Sequence, residues 1–140
     1  MSVPHAPLEN APAKLETKLE GESMESERAG QALHVLAFNF DLKTSGQAGN
    51  RFVGYEIAAP TGQTLVEVLT PALAKANNTY GICSFIGAPH DEIEGSRTIV
   101  LPLANLLLPK GVKLNLIAPF KQSEDTFPLF RWVFEYVNVT

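Results

Sequence analysis

The stretch Phe130-Arg-Trp-Val-Phe-Glu-Tyr-Val-Asn-Val139 leaves a folding chain few options. Phe130, Trp132, Phe134 and Tyr136 recur at every second position, the period of an extended strand, and so point to one side. Val133, Val137 and Val139 point to the other, interrupted by Arg131 and Glu135. In an antiparallel sheet with one wet face, the second face would be polar throughout. This strand needs cover on both sides. A second sheet, a helix, the N-terminal segment or another subunit would each supply it.

The rest of the body reads in the same idiom. Leu33–Leu42 alternates, with Leu36, Phe38, Phe40 and Leu42 on one face, and after the turn-rich Thr44–Asn50 the segment Arg51–Ala58 completes a hairpin. Thr64–Thr70 reads as a short strand. Pro71–Asn77 reads as a short helix, with its proline where a first turn tolerates one. Tyr80–Ile86, Arg97–Leu101 and Val112–Ile117 are β-like, while Gly87–Gly95, Pro109–Gly111 and Lys121–Asp125 are polar loops or turns. Strands and helices do not alternate in the way that builds a parallel sheet. The expected fold is mainly β, an antiparallel sandwich or barrel of about seven strands with one short helix.

Composition divides the chain near residue 30. Residues 1–29 hold six Glu, three Lys or Arg and no aromatic residue, and all twelve aromatics fall between Phe38 and Tyr136. So little bulky apolar surface cannot offset the entropy of ordering, so residues 1–29 are expected to form an extended, flexible charged arm before a β domain at 30–140. Within the arm, residues 12–20 carry good helix formers, with Leu15 and Leu19 on one face at i, i+4 spacing. Such a helix is too short to persist alone.

Charge and motifs exclude several function classes. A net charge of −4 with Lys and Arg scattered singly offers no basic stripe for nucleic acid, and these cations read as solubilising surface charge. No apolar run is long enough for a secretory signal or a membrane span, so a soluble product of the reducing cytoplasm is expected. Cys83 is the only cysteine and sits in an apolar run, where it reads as a small buried hydrophobe. The glycines match neither phosphate-binding spacing, and no serine lies in a nucleophile elbow. His90-Asp-Glu-Ile-Glu94 groups cation-ligand types without the spacing of a calcium loop. No catalytic, cofactor or metal residue is assigned.

Two apolar surfaces then remain without an internal partner. One is the second face of the last strand, Val133 and Val137. The other is Leu106-Leu-Leu108, at the end of a stretch broken by Pro102 and Pro109 that makes a poor central strand. With Leu15 and Leu19 of the arm, these are the residues expected to bind a protein partner. The expectation is a non-enzymatic assembly subunit, homo-oligomeric, of the kind that decorates a capsid or joins a virion, gripping a neighbour with its arm. The alternative is a monomeric sandwich recognising a protein or carbohydrate through loops 44–50 and 87–96. A small enzyme with His90 or His34 beside a carboxylate is a third reading.

Overall fold

In a computed structural model the described residues are 16–18, 22–47, 49–71, 73, 76–93, 97–128 and 130–138. They form two open sheets packed face to face, and no described residue is helical. The larger sheet has seven strands. Its backbone is β3 (Gln31–Lys43), flanked on one side by β11 (Phe130–Asn138) and then β1 (Glu16–Lys18). On the other side follow β6 (Thr79–Ile86), β8 (Thr98–Leu103) and β7 (Asp91–Ile93), and the short β9 (Leu107–Leu108) pairs with β3 where β6 leaves off. The smaller sheet runs β2 (Ser23–Glu25), β10 (Lys113–Ile117), β4 (Gly54–Ala58), β5 (Thr64–Leu69). Neither sheet closes on itself, so the sandwich form of the expectation holds and the barrel does not.

The alternation read from the sequence places the core. Trp132, Phe134 and Tyr136 of β11 turn inward and are almost fully buried. Phe38 packs against Trp132 at 5.1 Å and meets Tyr55 of the opposite sheet edge-on at 5.5 Å. The Tyr55 hydroxyl donates to the Pro102 carbonyl at 2.7 Å and accepts the Ala104 N–H at 3.0 Å, so the buried phenol is satisfied while tying the sheets together. Gly54 is where β5 presses closest on β4: a Cβ there would lie 1.9 Å from the Val68 carbonyl oxygen.

The structure departs from the sequence reading in several places. Leu33–Leu42 and Arg51–Ala58 do not form a hairpin: β3 pairs β11 and β6 in the larger sheet, whereas β4 pairs β5 and β10 in the smaller, so the chain passes from one sheet to the other between them. Glu16–Lys18, inside the expected arm helix, is a strand paired with β11 from Phe134 to Trp132; the rest of that helix, with Leu15 and Leu19, lies outside the described residues. β2 likewise joins β10, and Arg28 stacks its guanidinium 3.9 Å over the Tyr136 ring while reaching Glu16 at 3.4 Å. Glu16–Lys18 and Ser23–Glu25 of the expected arm therefore have sheet partners that their composition does not reveal. The short helix at 71–77 is not seen: Leu73 is an isolated bridge to Arg51 and Ala76-Asn77 a turn, the other residues lying outside the described set except Pro71, a bend. Leu36 does not share the Phe38–Leu42 face. Val133 pairs Ala37 and Phe134 pairs Val35, which makes Leu36 a bulge and switches the inward positions from Leu33 and Val35 to Phe38, Phe40 and Leu42. Finally, one pair is parallel. β6 and β8 run together, with β7 between them in the chain, which no strand–helix pattern announces.

Candidate functional site

Two surfaces deserve a chemical reading: the outer face of the larger sheet, and the end of the sandwich where the 44–52 and 117–128 loops meet. On the first, strand register lines up Thr17, Val133, Ala37, Phe85 and Pro102 in one row across β1, β11, β3, β6 and β8. Strands lie about 4.8 Å apart, so this row is roughly 20 Å wide. Phe85 stays 44% exposed. The next row along β3 pairs Glu135, His34 and Leu107, the last 46% exposed, and the one after pairs Val137 with Ala32. On the far side of the apolar row stand Arg131, Asn39, Cys83 and Val100.

Of the residues expected to bind a partner, Leu107, Val133 and Val137 therefore share one sheet face. Leu106 is exposed in the loop just before it. Leu108 has to be withdrawn from that set: it faces Leu33 in the core and is 2% exposed, because the alternation of β9 turns it opposite to Leu107. Pro102 lies beyond the last β7–β8 pair, at Val100, so its missing N–H interrupts no ladder on that side.

The second surface is organised by a buried ion pair. Arg51, expected as surface charge, is 0% exposed, and this is a correction with a clear cause. Its Nε donates to Asp125 Oδ2 at 2.9 Å and its Nη2 to Oδ1 at 3.2 Å, while Nη1 and Nη2 reach the Gly49 and Gln47 carbonyls at 2.8 and 2.6 Å. Asp125 also accepts the backbone N–H groups of Ser45 at 2.7 Å and Gln122 at 2.9 Å. Burial alone would push the Asp125 carboxyl up, but the Arg51 bonds and these two amides hold it down at about 2. Every polar group of the pair has a partner, which is the condition for burying charge without heavy cost. The pair locks both loops. They present Phe52 and Phe120, edge-to-face at 6.1 Å, with Phe120 73% exposed.

The remaining chemistry is dispersed. His34 is held on the sheet face by Glu135 Oε1 at 3.0 Å and Asn105 Oδ1 at 2.8 Å. Cys83 shares that face but stands opposite Asn39, five residues further along β3, or roughly 16 Å away. Burial raises the Cys83 thiol above its usual range, the opposite of what a nucleophile needs. His90 and Asp91 border an open dish of about 370 Å3 with Leu69 and Pro71, and His90 Nε2 donates to the Leu69 carbonyl at 2.9 Å. Among the described residues no three His, Cys, Asp or Glu side chains converge in a way that could hold a metal ion, and no helix is long and apolar enough to cross a membrane. No protein-family model, no curated protein and no solved structure matches this chain.

Sequence reasoning singled out Val133 and Val137 on β11 and passed over Arg51, Asp125 and Phe120. The ion pair joins residues 74 apart in the chain, Arg51 opening an expected strand and Asp125 closing an ordinary polar turn. Phe120 did carry a signal: an aromatic residue directly after proline in a loop, with no alternating neighbours to bury it.

Proposed function

We propose that this chain is a non-enzymatic assembly subunit that associates with copies of itself through the outer face of its larger sheet. The observation that supports this reading is the Val133–Ala37–Phe85–Pro102 row, apolar across four strands and continued by Leu107 and Val137. Contiguous apolar surface of this kind on a soluble protein usually marks a contact. The flanks fit a second copy. On β11, Arg131 stands on one side of Val133 and Glu135 on the other, so two faces related by a two-fold axis across the strands set Arg131 of each copy over Glu135 of its mate.

Sedimentation velocity across the micromolar range tests the proposal. The wild-type chain should self-associate, and Phe85→Lys or Leu107→Lys should weaken that association about tenfold or more without unfolding it. A wild-type chain that remains monomeric in the high-micromolar range sinks the reading.

The finer form of the proposal is a capsid-decorating or virion-associated subunit whose arm grips a neighbour. With β1 and β2 joined to the body, the gripping segment narrows to residues 1–15, which reach up to about 50 Å when extended. Deleting residues 1–15 should then weaken attachment to an assembled particle while leaving the melting temperature unchanged. A monomeric module that binds a partner through its loops is the second reading, and the Arg51–Asp125 lock favours it by holding loop 44–50 rigid. A monomeric wild-type chain would select it.

A further inference from the structure

The turn at Ala118-Pro-Phe-Lys121 contradicts its own chemistry. Lys121 N–H donates to the Ala118 carbonyl at 3.1 Å, Pro119 takes the second position and Phe120 the third, with φ at +62°. That is the pattern of a type II turn, whose third position calls for positive φ and normally holds glycine. A bulky L side chain is disfavoured there. Burial does not compensate, because the Phe120 ring is 73% exposed and meets Phe52 only by an edge. The turn is nevertheless held in place. Phe52 N–H donates to the Pro119 carbonyl at 3.2 Å, and Gln122 N–H to the buried Asp125 at 2.9 Å. Strain that the fold holds in place without using is a mark of function.

A receptor for such a knob lies beside it. An open cleft of about 450 Å3 is lined by Leu116, Ala118, Phe127 and Phe130, with Lys121 and Glu22 among its polar residues. Ala118 and Lys121 are the two ends of the Phe120 turn, so knob and cleft adjoin. The Phe127 and Phe130 rings stand 5.9 Å apart and each packs on Phe40, which makes a firm aromatic lining. We propose that Phe120 of one copy inserts into this cleft on a second copy, and reciprocally. A two-fold axis beside the turn satisfies both insertions at once, which is the property of an isologous contact. Aromatic rings meeting edge to face supply the specificity. The inference rests on the reading of the chain as self-associating, but places a contact on a surface separate from the Phe85 face.

The test uses the full chain in sedimentation equilibrium. Phe120→Gly should weaken association roughly thirtyfold or more, as for loss of a central anchor, yet unfold at higher denaturant than wild type because glycine suits the turn. Ala118→Arg, which blocks the cleft and keeps the knob, should weaken association equally. Mixing the two variants should restore part of it, since the knob of one meets the open cleft of the other. Association of Phe120→Gly at wild-type strength, a mixture no tighter than its components, or a loss of folding stability in Phe120→Gly would each overturn the inference. Wild-type association that Phe85→Lys abolishes and Phe120→Gly leaves intact overturns it alone; a monomeric wild type overturns the self-association reading as well.

Discussion

The outer faces of the two sheets are built on opposite principles. Across the smaller sheet one row runs Ser23, Asn115, Glu56, Glu67. Ser23 Oγ donates to Asn115 Oδ1, Asn115 Nδ2 to Glu56 Oε2 at 3.2 Å, and Thr64 Oγ1 to the other Glu56 oxygen at 2.9 Å. This is a face made for water, as one side of an antiparallel sheet can be. Across the larger sheet the corresponding row is Val133, Ala37, Phe85, Pro102. Both sheets bury their inner faces in the same core, so the contrast is not one of fold stability. It is a contrast between a face whose hydrogen bonds are already made and one whose apolar atoms still gain by burial.

The contrast can be broken by comparing the two sides of β11. Phe134→Ala removes a ring from the core and should cost about 3–5 kcal/mol, whereas Val133→Ala on the outer face should cost less than about 1 kcal/mol. Urea denaturation at a protein concentration low enough to keep the chain monomeric measures both. Equal costs would mean that the outer face is covered within one chain.

Next in size is the lock beneath the loops, which calibrates a buried polar contact against the two faces. Asp125→Ala leaves the Arg51 charge buried without its carboxylate and should cost about 3 kcal/mol or more, read by the same denaturation. Because the folded Asp125 carboxyl titrates at about 2 against an ordinary 3.8, it stabilises the fold fully above the ordinary value. That contribution, about 2 kcal/mol, fades as pH falls through 3.8 towards 2 and should be missing from the acid limb of the Asp125→Ala stability profile.

Smaller effects separate the faces directly. Phe85→Lys should weaken self-association about tenfold or more with little change in stability, while Glu56→Lys, in the middle of the polar row, should leave association unchanged. Least of all is Glu67→Lys. It replaces a like-charge pair beside Glu56 with an opposite one and should stabilise by about 0.2–1 kcal/mol at low salt, an effect that salt erases. An oligomer disrupted by either carboxylate variant would reverse the assignment of faces.

Much of this architecture was legible in the residues. The long strands stand where Leu33–Leu42, Tyr80–Ile86, Val112–Ile117 and Phe130–Val139 alternate, because side-chain direction along a strand is a local property. β1, β2, β7 and β9 were illegible for the converse reason. Two or three residues carry no period, and each is a strand only because a neighbour offers its edge. The candidate surfaces divide in the same way. Val133 and Val137 betray themselves by interrupting a polar face, but Phe85 and Leu107 join them only through register.

By itself, then, the amino-acid order determined the β class and the two-sided character of the last strand. Those follow from periodicity and composition, which act within a few neighbours. The tertiary structure decided the Leu36 bulge that reverses β3, the parallel β6–β8 pair and the Arg51–Asp125 lock. Each of these depends on segments far apart in the chain meeting at one register, and the free energy of that meeting is written in no single segment.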